Sequence, residues 1–160
     1  MKILVSAFAG VNNASYKILE KITYECDKIL FSNDKSMSEK QLYTVLGNMQ
    51  YDYIIMLGQK PVIKDKISIE TTAKNQNKVI RTEYDCTGAV EFFNYKGYTA
   101  YLSNNAGTSY CNHIYYACLK YLLNTEHTKA VFMHVPYIRN IKNIISLSTV
   151  FDAYFNSFSK

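Results

Sequence analysis

Ser103-Asn-Asn-Ala-Gly-Thr-Ser-Tyr-Cys-Asn112 joins a short apolar run, Thr99 to Leu102, to an amphipathic stretch that continues to Leu123. Polar residues and a glycine between a strand-like and a helix-like segment predict a strand end, a tight turn and a helix start. The same alternation extends outward in both directions. Strands are expected over Ile3 to Phe8, Lys28 to Phe31, Tyr53 to Leu57, Ile67 to Thr72, Thr99 to Leu102 and Ala130 to Val135. Helices are expected over Asn13 to Thr23, Ser36 to about Met49, Thr87 to Tyr95, Asn112 to Leu123 and Ile141 to Phe155. Ser36 followed three residues later by Glu39 fits a capping box. With no repeat or linker interrupting this pattern, the expectation is one α/β domain over residues 1–160, with a twisted, mostly parallel or mixed sheet between two layers of helices.

Composition narrows the function. A chain of 160 residues, 48% of them hydrophobic, can bury a self-sufficient core, and no apolar run approaches the length that crosses a bilayer. A membrane role is not expected. The net charge of +5 comes from lysines spread along the whole chain, and the 15 tyrosines fall mostly within apolar-periodic segments. A nucleic-acid partner is not expected either, since basic runs interleaved with aromatics are missing. Cys26, Cys86, Cys111 and Cys118 form no CxxC pair, and three histidines accompany them, so neither a zinc site nor any cofactor is expected. Met1 to Val5 enters a strand directly without a secretion-type apolar core, which makes the cytoplasm the expected location.

Cys111 sits where a cysteine becomes a nucleophile. The donors and partial positive charge of a helix N-terminus favour thiolate, which predicts a pKa below the value of about 8.5 for a free cysteine. Ala130-Val-Phe-Met-His-Val-Pro136 is a short apolar strand that ends by presenting His134, a candidate base. In an open α/β sheet, functional groups collect beyond the carboxyl ends of strands, and Phe8, Gln59, Glu70, Gly107, Cys111 and His134 all fall near such ends. Gly107 permits either a positive φ or close approach to a ligand. Asn112 is expected as the first residue of the helix, and the backbone N–H groups of 110–112 could receive an oxyanion. Cys118, seven residues beyond Cys111 on the same helix, is expected to pack in the core.

The run Ser103-x-x-Ala-Gly-x-x-x-Cys-Asn112 followed by His134-Val-Pro136 resembles the pyroglutamyl peptidase I family of cysteine peptidases. Arg81-Thr-Glu-Tyr-Asp-Cys-Thr-Gly-Ala-Val90 and Gly97-Tyr-Thr-Ala-Tyr-Leu102 resemble the family's approach to its nucleophile. Leu57-Gly-Gln59 and Ile67-Ser-Ile-Glu70 are similar to its substrate loop and to the strand that carries its glutamate.

The resemblance implies a phosphorylase/hydrolase-like fold and a Cys111, His134, Glu70 triad that cleaves after an N-terminal pyroglutamyl residue. Peptides so blocked would be the partners, with Phe8 and Gln59 in the substrate pocket and homo-oligomers as a further expectation; Tyr110 is a candidate to fill the pocket's missing aromatic wall. Two stretches depart from the family. Ala7-Phe-Ala-Gly-Val-Asn-Asn13 stands for a longer Gly-Phe-x-Pro-Phe-Gly-Gly loop, so half of an aromatic clamp is absent. Lys60-Pro-Val-Ile-Lys64 stands where the family has small residues and an arginine, with Lys64 the expected carrier of the charge. The alternatives are a noncatalytic binding descendant of the scaffold and an amidase with a remodelled pocket.

Overall fold

A computed structural model describes residues 1–158. Six strands form a mixed sheet in the order β2, β1, β3, β8, β4, β7. They are β1 (Ile3–Phe8), β2 (Asp27–Phe31), β3 (Tyr53–Lys60), β4 (Lys66–Glu70), β7 (Thr99–Ser103) and β8 (Lys129–Pro136). Neighbours run parallel except β4 and β8, which are antiparallel. The expected α/β architecture is borne out.

Strand alternation divides the core in two. Val5, Ala7, Ile55, Leu57, Val131, Met133 and Val135 face α1 (Ala14–Lys21), α3 (Cys86–Tyr95) and α5 (Ile144–Ser157). Leu4, Phe8, Ile54, Met56, Ala130 and Phe132 face α2 (Lys35–Asn48) and α4 (Tyr110–Leu122). Each fully buried side chain of the Leu, Ile or Phe type contributes about 1.5–3 kcal/mol, so the two apolar layers supply the main drive to fold. On the six-stranded sheet the buried polar side chains, Ser6, Ser68, Glu70 and His134, all lie on the second face.

Several expectations are corrected at their edges. The strand expected to reach Thr72 ends at Glu70, and Thr72–Asn75 (β5) turns back to pair with Lys78–Arg81 (β6) in a separate hairpin. That hairpin is polar on most positions, so periodicity gave no sign of it, and its turn uses Gln76 at φ 52°. The expected capping box is absent. Asp34, two residues upstream of Ser36, caps α2 by accepting from the Met37 N–H at 2.7 Å. Glu39 instead accepts from the Tyr43 hydroxyl at 2.9 Å and lies 3.0 Å from His113 Nε2. α4 begins two residues before the expected start, making Asn112 its third residue. α5 starts at Ile144 because Asn143 caps it, accepting from the N–H groups of Ile145 and Ser146.

Candidate active site

The antiparallel register of β4 and β8 sets Ser68 opposite His134 and Glu70 opposite Phe132. All four therefore share one face, with Glu70 diagonal to His134 and within reach of a long side chain. His134 Nδ1 lies 2.8 Å from Glu70 Oε1, and both residues are buried. The Ser68 hydroxyl donates to the same oxygen at 2.7 Å. From α4 the Tyr115 hydroxyl donates to the Glu70 carbonyl at 2.9 Å, which fixes that helix over the end of β4.

The cysteine arrives on the opposite wall. Cys111, Ile114, Tyr115 and Cys118 follow helical spacing, which turns them together towards the sheet. The thiol lies directly over Gly58, where an added Cβ would come within 2.9 Å of Sγ and 2.7 Å of the Phe132 ring. Gly58 is the register partner of His134. A missing side chain on β3 thus makes room for the thiol beside the strand that carries the imidazole. Sequence reasoning missed this residue, although an isolated glycine inside an apolar strand is itself a signal of close approach.

Electrostatics follow from burial. Desolvation raises the pKa of the Glu70 carboxyl, but the hydrogen bond and charge of His134, with the hydroxyls of Ser103 and Ser68, outweigh it and hold the group below its ordinary value. Desolvation lowers the pKa of His134, and the pull of Glu70 only partly reverses this. Burial pushes the Cys111 thiol up to about 12, opposed by its own backbone N–H and by Lys60 and reinforced by the Glu70 charge. This direction is opposite to the expected depression of the thiol pKa, because desolvation of the half-buried thiol outweighs the helix N-terminus. The resting state pairs a neutral thiol and a neutral imidazole with an ionised glutamate.

Gly107 adopts φ 86°, so the positive-φ reading of that turn holds, and its N–H donates to Asn105 Oδ1 at 3.1 Å. Asn112 acts as a clamp. Its Oδ1 accepts from the Lys74 N–H at 2.9 Å and its Nδ2 donates to the Lys74 carbonyl at 2.7 Å, tying β5 to α4 as a neighbouring strand would. The first N–H groups of α4 are left unclaimed by the helical ladder.

The three expected pocket residues sit in three different settings. Phe8 is buried against Phe31, with ring centroids 6.0 Å apart. Gln59 belongs to the other face of β3, where its Oε1 accepts from the Ala14 N–H at 3.0 Å at the start of α1. Tyr110 is exposed beside Cys111 at the mouth of α4. Lys64 is exposed, whereas Lys60 reaches Glu70 Oε1 at 3.2 Å. Cys118 is buried as expected, and all four cysteines are free. Among the described residues no cluster of candidate metal ligands occurs, and no helix is long and apolar enough to cross a membrane.

A mixed α/β sheet with a thiol, an imidazole and a carboxylate on one face defines the structural class. The particular likeness is to the pyroglutamyl peptidases, whose family profile matches residues 89–149. A pyrrolidone-carboxylate peptidase of a Thermoanaerobacter species is 29% identical, over 86% of this chain and 83% of the relative. The pyrrolidone-carboxylate peptidase of Pyrococcus furiosus is 24% identical over 86% of this chain and 82% of its own length. Among solved structures, pyroglutamyl peptidase I of Bacillus amyloliquefaciens superposes with a TM-score of 0.81 at 20% identity, covering 95% of this chain and 94% of that one. The pyrrolidone carboxyl peptidase of Fervidobacterium islandicum gives 0.82 at 15% identity, covering 99% and 98%. The resemblance read from the sequence is borne out, and the fold is theirs.

Proposed function

We propose that the chain is a cysteine peptidase that hydrolyses the amide bond after an N-terminal pyroglutamyl residue, with Cys111 as nucleophile, His134 as proton carrier and Glu70 as orienting anion. The observation that carries this reading is the thiol seated over Gly58, whose register partner is His134, with His134 Nδ1 held by a buried carboxylate. With Glu70 ionised, Nδ1 carries the ring proton and Nε2 is left as the base. Because the thiol rests neutral, His134 takes its proton as Sγ attacks the pyroglutamyl carbonyl carbon, rather than holding a standing thiolate.

The oxyanion then faces the N–H groups at the start of α4. Collapse breaks the C–N bond, the departing amine takes the proton from His134, and a thioester remains on Cys111. Water attacks the thioester with His134 again as base, releasing pyroglutamate and the thiol. Glu70 keeps its charge throughout and stabilises the imidazolium.

The names of the relatives supply the substrate class. Four free cysteines suit a reducing compartment, which supports action in the cytoplasm. Release of a chromogenic amine from a pyroglutamyl amide, set against alanyl and prolyl amides, tests the reading. Preference for the pyroglutamyl compound is expected. Turnover of another amide by the same thiol would point to a remodelled amidase, and no turnover of any would favour a binding descendant.

A further inference from the structure

Lys60 is the last residue of β3 and shares a face with Gly58, two residues before it. Its ammonium donates to Glu70 Oε1 at 3.2 Å and to the Asn105 carbonyl at 2.8 Å, and its side chain is only 17% exposed. Glu70 Oε1 thereby receives three donors, from Ser68, Lys60 and His134. Asn105 belongs to the loop that carries Gly107 and leads into Cys111, and Asn105 Oδ1 accepts from the Gly107 N–H. One side chain therefore joins the carboxylate beneath the imidazole to the loop that delivers the thiol.

We infer that Lys60 is a positioning residue for the triad, which couples the 104–109 loop to Glu70 and supplies the cation that lets His134 remain a neutral base. The inference rests on the proposed peptidase reading and adds a residue to it. A buried carboxylate needs a compensating charge. With Lys60 present that need is met without protonating the imidazole. The charged groups acting on His134 are Glu70 from β4 and Lys60 from β3, while Cys111 from α4 lies over Gly58, the register partner of His134, and Tyr115 is held on the Glu70 carbonyl. Among them the Lys60 charge lowers the proton affinity of both His134 and Cys111. Removing it leaves His134 as the remaining candidate cation beside Glu70, so protonated imidazole persists to higher pH. A lysine serves this geometry as a point charge with separate donors, whereas an arginine fork would have to approach the same two acceptors in one plane.

The test compares Lys60→Met, Lys60→Gln and Lys60→Arg by two readouts. The first is the acid limb of the kcat/KM profile with a pyroglutamyl amide. The second is the titration of His134 followed by NMR and assigned by the resonance that His134→Gln removes. Met and Gln should move both midpoints up by about one pH unit and lower kcat several-fold, while Arg should keep the parent midpoints. Gln retains a donor for the Asn105 carbonyl without the charge, so it should recover part of the kcat lost in Met but none of the shift. Unmoved midpoints in a folded Met or Gln variant, or an Arg variant shifted as far as Met, would overturn the inference. The NMR titration requires no substrate, so absence of pyroglutamyl turnover would defeat the peptidase reading and leave the role of Lys60 decided separately.

Discussion

The two faces of β8 do opposite work within eight residues. Val131, Met133 and Val135 pack into an apolar layer with Phe151 and Phe155, where volume and shape decide everything. Ala130, Phe132 and His134 face α4, and there the pattern turns from apolar to polar as the strand proceeds towards Pro136. Ala130 and Phe132 still belong to the core, while His134 meets Glu70, Ser68 and the space above Gly58. The site is the end of a core layer in which a few positions have exchanged packing for hydrogen bonds. Its rigidity therefore comes from the same strands and helix that stabilise the fold.

If that division is correct, substitutions on the two faces should separate activity from stability. Glu70→Gln keeps the shape and removes the charge that orients and stabilises the imidazole. We expect kcat to fall by about 10³-fold or more with little change in KM, and steady-state kinetics decide it. An unchanged kcat would remove Glu70 from the mechanism. Gly58→Ala comes next. Its Cβ would meet the Phe132 ring and Cys111 Sγ inside van der Waals contact, so the thiol must shift, and a displacement of that order should cost about 10²-fold in kcat. Met133→Ala on the apolar face is the counterpart. Chemical denaturation should show a loss of about 2–5 kcal/mol while kcat of the folded fraction stays close to the parent value.

The smallest effect is the pH dependence of stability, and its direction follows from the shifts. Glu70 and His134 both have folded pKa values below their ordinary 4.5 and 6.5, so the unfolded chain binds more protons in the acid range. Stability should therefore fall as pH drops below about 6.5 and again below about 4.5, by at most about 1.4 kcal/mol per pH unit for each proton. Cys111 and Cys118 have raised values, so stability should also decline as pH rises above about 9. Thermal melts across pH would show both limbs, and His134→Gln should remove the step near 6.5.

The strand, glycine turn and helix around Cys111 were legible because local chemistry fixes them, and His134 was legible as a polar residue ending an apolar strand. Glu70 came through its likeness to a family motif. The positions that escaped depend on parity and distance. Whether Gln59 or Lys60 faces the thiol turns on a one-residue register, which side-chain type does not reveal. The Asn112 clamp reaches Lys74 across 38 positions, onto a hairpin too polar to announce itself. The thiol pKa departs from expectation for a related reason, since the helix N-terminus is written in the sequence and the desolvation of the thiol is not.

In the proposed mechanism Cys111 becomes acylated. Rapid acid quenching during turnover of a pyroglutamyl amide, followed by peptide mass spectrometry, addresses it directly. A pyroglutamyl mass increment is expected on the peptide that contains Cys111, lost in Cys111→Ser along with turnover. Full turnover by a Cys111→Ser variant, or the increment on Cys26, Cys86 or Cys118 instead, would contradict it.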